Sequence, residues 1–408
     1  MDNLIRILSS FTEGEQDKRF IDSFVQLLKD QVMSHVQSMY ERGLKLENGR
    51  VVFPPPWESI YSGLKEIGFF KRFVPVDYGG NYASEESIYY MMELLGYTCP
   101  SLGIISVAHG RAVDLILSAK DADLRGEFLS RLCEGDFGAI AMTEERAGTD
   151  ASAIEFSARR EGDTYVFNGE KIFISNAGLA RIYTILVNTK GKKGARSLSV
   201  FAVDDEVGGF RVDLLPEKDG LKILPTGRLT YTNCRVPEQN LLGEEGRGLL
   251  LALDAIDRGR IMLAGIACGL ACRIFDEIFE YSRKRVQFDR PLTSSQDISF
   301  RMSEMYTQIN AARGLCFHAL KQVQSPFYRS ASSQAKLFAT QMVTSVAQLG
   351  LVIVGGRSYF KDNIVSMLSA DARGMEYLEG TSGIQKMIIS KEIFKSYMQR
   401  LPDTTEMM

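Results

Sequence analysis

The sequence predicts a multidomain α+β protein in three parts: an N-terminal α-helical domain (1–137), a middle antiparallel β-barrel or sandwich domain (138–245) and a C-terminal four-helix bundle (246–408). Three observations predict it. Between residues 15 and 135, apolar side chains recur at three- and four-residue steps, the period of an amphipathic helix. Between 138 and 245 the texture changes to short β-branched and aromatic runs separated by Gly, Asn and Asp, with no long helix between them. Beyond that the period is helical again, and of eleven prolines only Pro291, Pro326 and Pro402 lie past residue 237. That leaves room for antiparallel helices of roughly 25–35 residues. A length of 408 residues agrees with two or three domains at about 150 residues each.

The elements follow in order. Phe20, Phe24, Leu27, Leu28 and Val32 mark the first amphipathic helix. Pro54-Pro55-Pro56 interrupts the pattern and should open the next helix, because proline suits a first turn. Asp77–Gly80 is a turn, and Ser84 starts the helix that contains Ile88–Leu95. In the β domain, Thr164–Phe167 leads into Asn168-Gly169, a strong hairpin signal. Lys171–Ser175, Tyr183–Val187, Leu198–Val203, Phe210–Leu214 and Arg228–Thr232 read as further strands. Ile261–Cys272 is apolar and reads as a buried helix of the bundle.

Composition narrows the function. There are 48 Lys+Arg against 51 Asp+Glu, a net charge of −3, with 45% hydrophobic residues, which is ample material for a core. The mild acidity argues against nucleic-acid binding, which needs a basic face. No membrane span is expected. The N-terminus, MDNLIRILSSFTEGEQDKRF, lacks the basic region and sustained apolar stretch of a secretory leader. Cys99, Cys133, Cys234, Cys268, Cys272 and Cys316 are sparse and no glycosylation sequon occurs, so the cytoplasm or another reducing space is the expected location. The three histidines, His35, His109 and His318, are far apart in sequence, so no metal site is expected. His109 follows an apolar run and could line a pocket. There is no G-x-S-x-G elbow and no phosphate loop of the G-x-G-x-x-G or G-x-x-x-x-G-K-S/T kind. Gly243–Gly248 reads as a plain loop.

Four segments carry the polar groups from which a site could be built. Ile140–Asp150 packs hydroxyls, carboxylates and Gly148 into the junction of the first two domains, where small residues let backbone N–H groups approach an anionic or polar ligand; an interdomain loop would look the same. Phe173-Ile174-Ser175 could hold a planar ring or be an ordinary strand end. Tyr281–Phe288, followed by Gln296, clusters positive charge at the end of a long helix, as a phosphate clamp or as favourable charge at a helix C-terminus. Glu379–Gln385 puts a carboxylate before the last helix. Glu379 could cap that helix or, buried against a ligand, act as a base whose pKa burial raises toward working pH.

In order and wording these segments resemble the acyl-CoA dehydrogenase flavoprotein family. Met142–Asp150 is similar to its M-T-E-x-x-x-G-S/T-D motif and Lys171–Asn176 to its K-x-W/F-I-T/S-N strand. Val236–Gly243 matches V-P-x-x-N-L-L-G, Asp257–Arg260 matches D-x-x-R, Tyr281–Asp289 followed by Gln296 matches Y-x-x-x-R-x-x-F-G, and Glu379–Gln385 matches E-G-T-S-x-I-Q. The resemblance covers essentially the whole chain. It implies FAD, held non-covalently between the β domain and the bundle, with Met142, Thr143, Gly148, Thr149, Phe173, Ile174 and Ser175 as contacts. Arg285, Gln287, Phe288 and Gln296 match positions that reach the dinucleotide of a neighbouring subunit, and Gly355, Gly356 and Thr381 match further cofactor positions. A homodimer or homotetramer is therefore expected. Thr149, Asp257, Arg260 and Gly380 match substrate positions, and Glu379 matches the catalytic base that removes the α proton while the β hydride goes to flavin N5.

The resemblance further implies an acyl-CoA or acyl-carrier-protein thioester as substrate, and an electron-transfer flavoprotein or another acceptor as redox partner. Some family members place the base just before the Arg of D-x-x-R; here that residue is Gly259, which cannot act. Asp289, Arg357, Val352 and Gly383 depart from the family pattern and point to an unusual acyl substrate. The competing expectations are an oxidase or monooxygenase on the same fold, and a non-catalytic scaffold.

Overall fold

The structure, a computed structural model, describes residues 1, 4–5 and 15–398; the outer ends of the first and last expected domains, and most of the segment considered as a leader, lie outside the described residues. Helix α1 (Glu15–Leu27) runs into a π-helical turn, followed by α2 (Val36–Arg42), the hairpin β1–β2 (Lys45–Glu47, Arg50–Val52), α3 (Trp57–Glu66), α4 (Glu85–Thr98), α5 (Pro100–Ile116) and α6 (Ala122–Cys133). Pro54–Pro56 precede α3, and the Ser84 hydroxyl caps α4 by accepting from the Ser87 N–H at 3.1 Å. Helices α4 and α5 are buried on nearly every face, as helices apolar all round must be. His109 lies buried inside this core, edge-on to Phe70 and Phe73.

Eight strands form one sheet: β3 (Gly138–Ala141), β4 (Ser157–Glu161), β5 (Thr164–Ser175), β6 (Ile182–Asn188), β7 (Leu198–Asp204), β8 (Phe210–Leu214), β9 (Thr226–Pro237) and β10 (Leu241–Leu242). Their order is β10-β7-β6-β4-β5-β9-β8, with β3 parallel beside β6. The predicted hairpin at Asn168-Gly169 does not form. Strand β5 runs straight through it, with a slip in its register against β9. The Asn168 side-chain oxygen accepts the Asn233 N–H at 2.9 Å, and a Cβ at Gly169 would lie 2.7 Å from the Phe156 ring. That glycine therefore serves close packing rather than chain reversal. The reversal comes earlier, at Gly162-Asp163, after β4, whose Ser-Ala-Arg-Arg-Glu composition gave no apolar signal.

The C-terminal helices are α7 (Gly248–Lys284), α8 (Gln296–Leu320), α9 (Tyr328–Val354), α10 (Ile364–Gly374) and α11 (Ser382–Met398), with the hairpin β11–β12 (Val286–Gln287, Arg290–Pro291) after α7. Helix α7 is the axis, packing against α4, α5, α8, α9 and α10. It touches α4 backbone to backbone: a Cβ at Gly269 would lie 1.8 Å from Glu93 O, and one at Gly96 would lie 2.1 Å from Ile266 O. Tyr328–Tyr359 is long and apolar enough to cross a membrane by length and composition, although no membrane span is expected from the sequence. The physical reason is that the core helix of a bundle meets the same criterion; here α9 packs along α7 and α8.

The three parts meet at a buried carboxylate. Asp371 of α10 accepts from the Tyr40 hydroxyl of α2 at 3.0 Å and from the Leu221 N–H of the β domain at 2.5 Å, and Tyr40 shares a 2.7 Å bond with Ser101 of α5. Burial pushes the Asp371 carboxyl up to about 7. A folded-state pKa above the unfolded value gives stability that is full below the unfolded pKa and is lost as pH rises through about 7. Asp371→Asn should therefore gain on the parent by about 2 kcal/mol between pH 5 and 8. Thermal unfolding midpoints across that range check it, and a gap independent of pH would show that Asp371 stays ionised.

Candidate active site

Glu379 lies in the loop between α10 and α11, and the loop is held by its carbonyls. Lys336 Nζ, from α9, donates to Glu376 O at 2.9 Å and Gly380 O at 2.8 Å. Gln385 Nε2 donates to Glu379 O at 3.0 Å and Gly380 O at 2.9 Å, and Arg260 Nε makes a longer contact to Glu379 O at 3.4 Å. Glu379 (φ 53°) and Gly380 (φ 91°) both occupy the left-handed region. Gly380 does so freely; at Glu379 the conformation is strained and must be held by these bonds.

The result aims the carboxylate at α7. A Cβ on Gly259 would lie 2.5 Å from Glu379 Oε2 and 3.3 Å from Arg111 Cδ, so the carboxylate occupies the space the glycine leaves. Oε2 is buried and has no hydrogen-bond partner among the described residues, so it does not cap α11.

Four buried ionic side chains surround it: Arg111 from α5, Asp257 and Arg260 from α7, and Lys336 from α9. Asp257 pairs with Arg260 and with Arg329 Nε at 2.6 Å, and Arg111 pairs with Asp114 at 2.9 Å. Burial holds the Glu379 carboxyl above the ordinary carboxylate value, with Arg111, Arg260 and Lys336 opposing the shift. Burial pulls Lys336 down to about 8, against the carboxylates of Glu379 and Glu376. A carboxylate with a raised pKa and an unengaged oxygen in a buried setting is equipped to accept a proton.

The second half of the site is built on the β domain. Lys171 is fully buried, and its Nζ donates to Met142 O at 2.9 Å and Glu144 Oε1 at 2.8 Å. The Ile172 N–H donates to Thr143 O at 2.9 Å. These bonds tie Met142-Thr143 to the end of β5. There the register against β9 slips again, Phe173 takes φ 58°, and its ring is 62% exposed beside Ile174 and Ser175. The outcome is an aromatic ring left uncovered by the chain itself, next to half-buried Ser175, with Ile174 turned into the core. Helix α5 joins the two halves. Asn176 Nδ2 donates to Ile105 O at 3.0 Å, and six residues on, about 9 Å along the helix, Arg111 reaches Glu379.

The remaining predicted residues are exposed. Gly148 and Thr149 are exposed in the loop after β3, and Thr381 is exposed before α11. Arg285, Gln287 and Gln296 are exposed, as is Phe288 at 95%. Phe288 and Asp289 turn the β11–β12 hairpin with φ 52° and 61°, a conformation aspartate tolerates in place of glycine. Gly355 and Gly356 follow α9 at the same end of the bundle, where the Tyr281 hydroxyl donates to Val354 O at 3.2 Å. Arg285 lies twenty-six residues beyond Gly259 along α7, on the order of 39 Å. One chain therefore does not bring this cluster to Glu379. Sequence reasoning missed Arg111 and Lys336; the available signal was a lone cation within an apolar helical stretch, which folds inside only when paired.

Three domain models match the chain in order: acyl-CoA dehydrogenase N-terminal domain over residues 14–136, middle domain over 139–234 and C-terminal domain over 246–394. A short-chain specific acyl-CoA dehydrogenase of Clostridium acetobutylicum is 35% identical over 337 residues, covering 82% of this chain and 87% of that relative. An acryloyl-CoA reductase (NADH) of Anaerotignum propionicum is 33% identical, covering 82% of this chain and 86% of its own length. The solved structure of butyryl-CoA dehydrogenase from Megasphaera elsdenii has a TM-score of 0.87 at 28% identity, over 94% of this chain and 99% of that one.

The geometry at α7 is testable without an assay. Gly259→Ala should destabilise the fold by about 1–3 kcal/mol through overpacking against Glu379. In a Glu379→Ala background most of that cost should disappear, a coupling read by a double-mutant cycle of unfolding free energies. Additive losses would place the Glu379 carboxylate away from Gly259.

Proposed function

The chain belongs to the acyl-CoA dehydrogenase family of FAD-dependent oxidoreductases, and from that premise we propose that it dehydrogenates an acyl thioester at the α and β carbons with Glu379 as the base. The observation that carries this reading is the unengaged Glu379 Oε2 packed into the space at Gly259. The exposed Phe173 ring, with half-buried Met142, Thr143 and Ser175 tied to the same strand end, supports placing the isoalloxazine there, with Ile174 contributing from the buried side of the strand. FAD, when bound, supplies the acceptor for the β hydride. Gly148 and Thr149 would meet its pyrophosphate.

Glu379 takes the α hydrogen as a proton at Oε2. Neutralising it among Arg111, Arg260 and Lys336 raises the net charge of the site by one as negative charge develops on the thioester oxygen, and the positive surroundings favour that step. Asp257 and Arg260, paired and buried on α7, would hold the thioester end of the substrate, with Gly380 beside the base. The relatives named for CoA thioesters support CoA as the carrier; a carrier-protein thioester presents the same pantetheine arm. An electron-transfer flavoprotein or another acceptor would reoxidise the flavin.

Arg285, Gln287, Phe288 and Gln296 would reach the dinucleotide of a second copy, with Gly355, Gly356 and Thr381 as further contacts. The distance to Glu379 along α7 exceeds what one bound dinucleotide spans, which supports a shared site. Phe300, Tyr306, Val352, Tyr359 and Phe360 leave the same helices and the turn after α9 with exposed apolar side chains, which supports self-association.

Glu379→Gln should retain FAD yet lose anaerobic flavin reduction by butyryl-CoA about 10²–10⁴-fold. Its unfolding midpoint at neutral pH should not fall, since no cap is lost. The base must be ionised to act and its pKa is raised, so the parental reduction rate should decline with falling pH through a value above the ordinary carboxylate range. A variant reduced at near-parental rate would remove Glu379 from this role. Arg285→Ala should weaken FAD retention about 10- to 100-fold, the worth of a charge-assisted bond to phosphate. It should leave the reduction rate of the fully loaded enzyme nearly unchanged, and unaltered retention would refute its assignment.

A further inference from the structure

A cationic side chain borders the base at Gly259. Arg111 is 1% exposed, and its Cδ and Glu379 Oε2 flank the same point, the open face of Gly259. Structural contacts account for two of its three nitrogens. One terminal nitrogen donates to Ala255 O at 3.0 Å, and the other pairs with Asp114 at 2.9 Å and lies 3.4 Å from Met262 Sδ. Asp114 also pairs with Arg258 at 3.0 Å, and Arg258 pairs with Glu85, so the charge of Arg111 is balanced within the fold. The third nitrogen, Nε, is buried and has no hydrogen-bond partner among the described residues.

Tyr328, at the start of α9, supplies a second group of the same kind. Its hydroxyl is buried without a partner, and Arg111 is foremost among the charges acting on it. Two buried donors therefore have nothing to donate to: Arg111 Nε, on the side chain that shares the open face of Gly259 with Glu379, and the Tyr328 hydroxyl, on which Arg111 acts. Buried donors are almost always paired, and leaving them unpaired is costly. A plain alkyl chain cannot pair them, whereas an oxygen atom can.

Building on the acyl-thioester reading above, we propose that Arg111 and Tyr328 are specificity-determining residues, and that the preferred acyl group carries an oxygen acceptor, a hydroxyl or a carboxylate, a few carbons beyond the α carbon. Arg111 Nε–H and the Tyr328 O–H donate to that oxygen. A site built to hydrogen-bond its substrate rejects the analogue lacking the group far more strongly than an apolar pocket rejects a missing methylene.

Three CoA thioesters of equal chain length test this: pentanoyl-, 5-hydroxypentanoyl- and glutaryl-CoA. Their dissociation constants are measured by calorimetry on FAD-loaded Glu379→Gln protein, where no turnover intervenes, and their rates of anaerobic flavin reduction are measured on the parent. At least one oxygenated thioester should bind about ten-fold or more tightly than pentanoyl-CoA, and the tighter of the two identifies the group. In that background Tyr328→Phe should cut the preference several-fold while pentanoyl-CoA binds as before, and Arg111→Met should cut it further. Because Arg111 also ties α5 to α7, Tyr328→Phe carries the test if Arg111→Met does not fold. Equal or tighter binding of pentanoyl-CoA, or a preference that Tyr328→Phe leaves unchanged, overturns the proposal alone. Failure of all three thioesters to bind or to reduce the flavin overturns the acyl-thioester reading and this inference with it.

Discussion

A carboxylate oxygen buried without a hydrogen-bond partner has to be forced into place, and the architecture around Glu379 does this. Its backbone sits at φ 53°, held by Lys336, Gln385 and Arg260 through the carbonyls of Glu376, Glu379 and Gly380. Its side chain fits only because position 259 of α7 has no Cβ. Holding an ionisable group in such a setting is unfavourable in isolation; the nearby guanidinium and ammonium groups make it tolerable, since each is itself tied to a partner. The cost is retained as a raised pKa and an unengaged oxygen, which are the properties a base acting near neutral pH requires.

The domains are arranged to protect that arrangement. Helix α7 carries Asp257, Gly259 and Arg260 and lies against α4 with backbone contact at Gly96 and Gly269, so its face toward Glu379 has little freedom to shift. Helix α5 anchors the end of β5 through Asn176 and approaches Glu379 through Arg111, so the exposed Phe173 ring and the Glu379 carboxylate share one support. Asp371 fixes the loop entering β9 to α2 and α10. A planar cofactor on the β domain and a thioester beside α7 would thus be registered by helices rather than by mobile loops.

Much of this was legible in the sequence because it is local. The three textures, the proline-poor bundle, the Ser84 cap and the Glu379–Gln385 segment each follow from residues near one another in the chain. What was not legible depends on long-range contact. Gly259 marked the absence of an alternative base, but that it faces Glu379 across 120 residues follows only from the fold. Arg111 has one partner, Asp114, on its own helix, but its contact with α7 and its approach to Glu379 come from the fold, and the partners of Lys336 are carbonyls of a loop forty residues on. Asn168-Gly169 carried a genuine turn signal, overridden because strands on both sides of β5 hold it straight and Phe156 fills the space a side chain would need. Strand β4 is charged on its outward positions and was hidden for that reason.

The central claim is that Glu379 removes the α proton, and α-hydrogen exchange isolates that step from hydride transfer. A 3-thiaacyl-CoA has sulfur in place of the β carbon and cannot pass on a β hydride. Incubated in D₂O with the FAD-loaded protein and followed by NMR, it should lose its α hydrogens to solvent deuterium at a rate catalysed by the parent and absent with Glu379→Gln. Exchange that persists in that variant at the parental rate would contradict the account and assign the proton to another group.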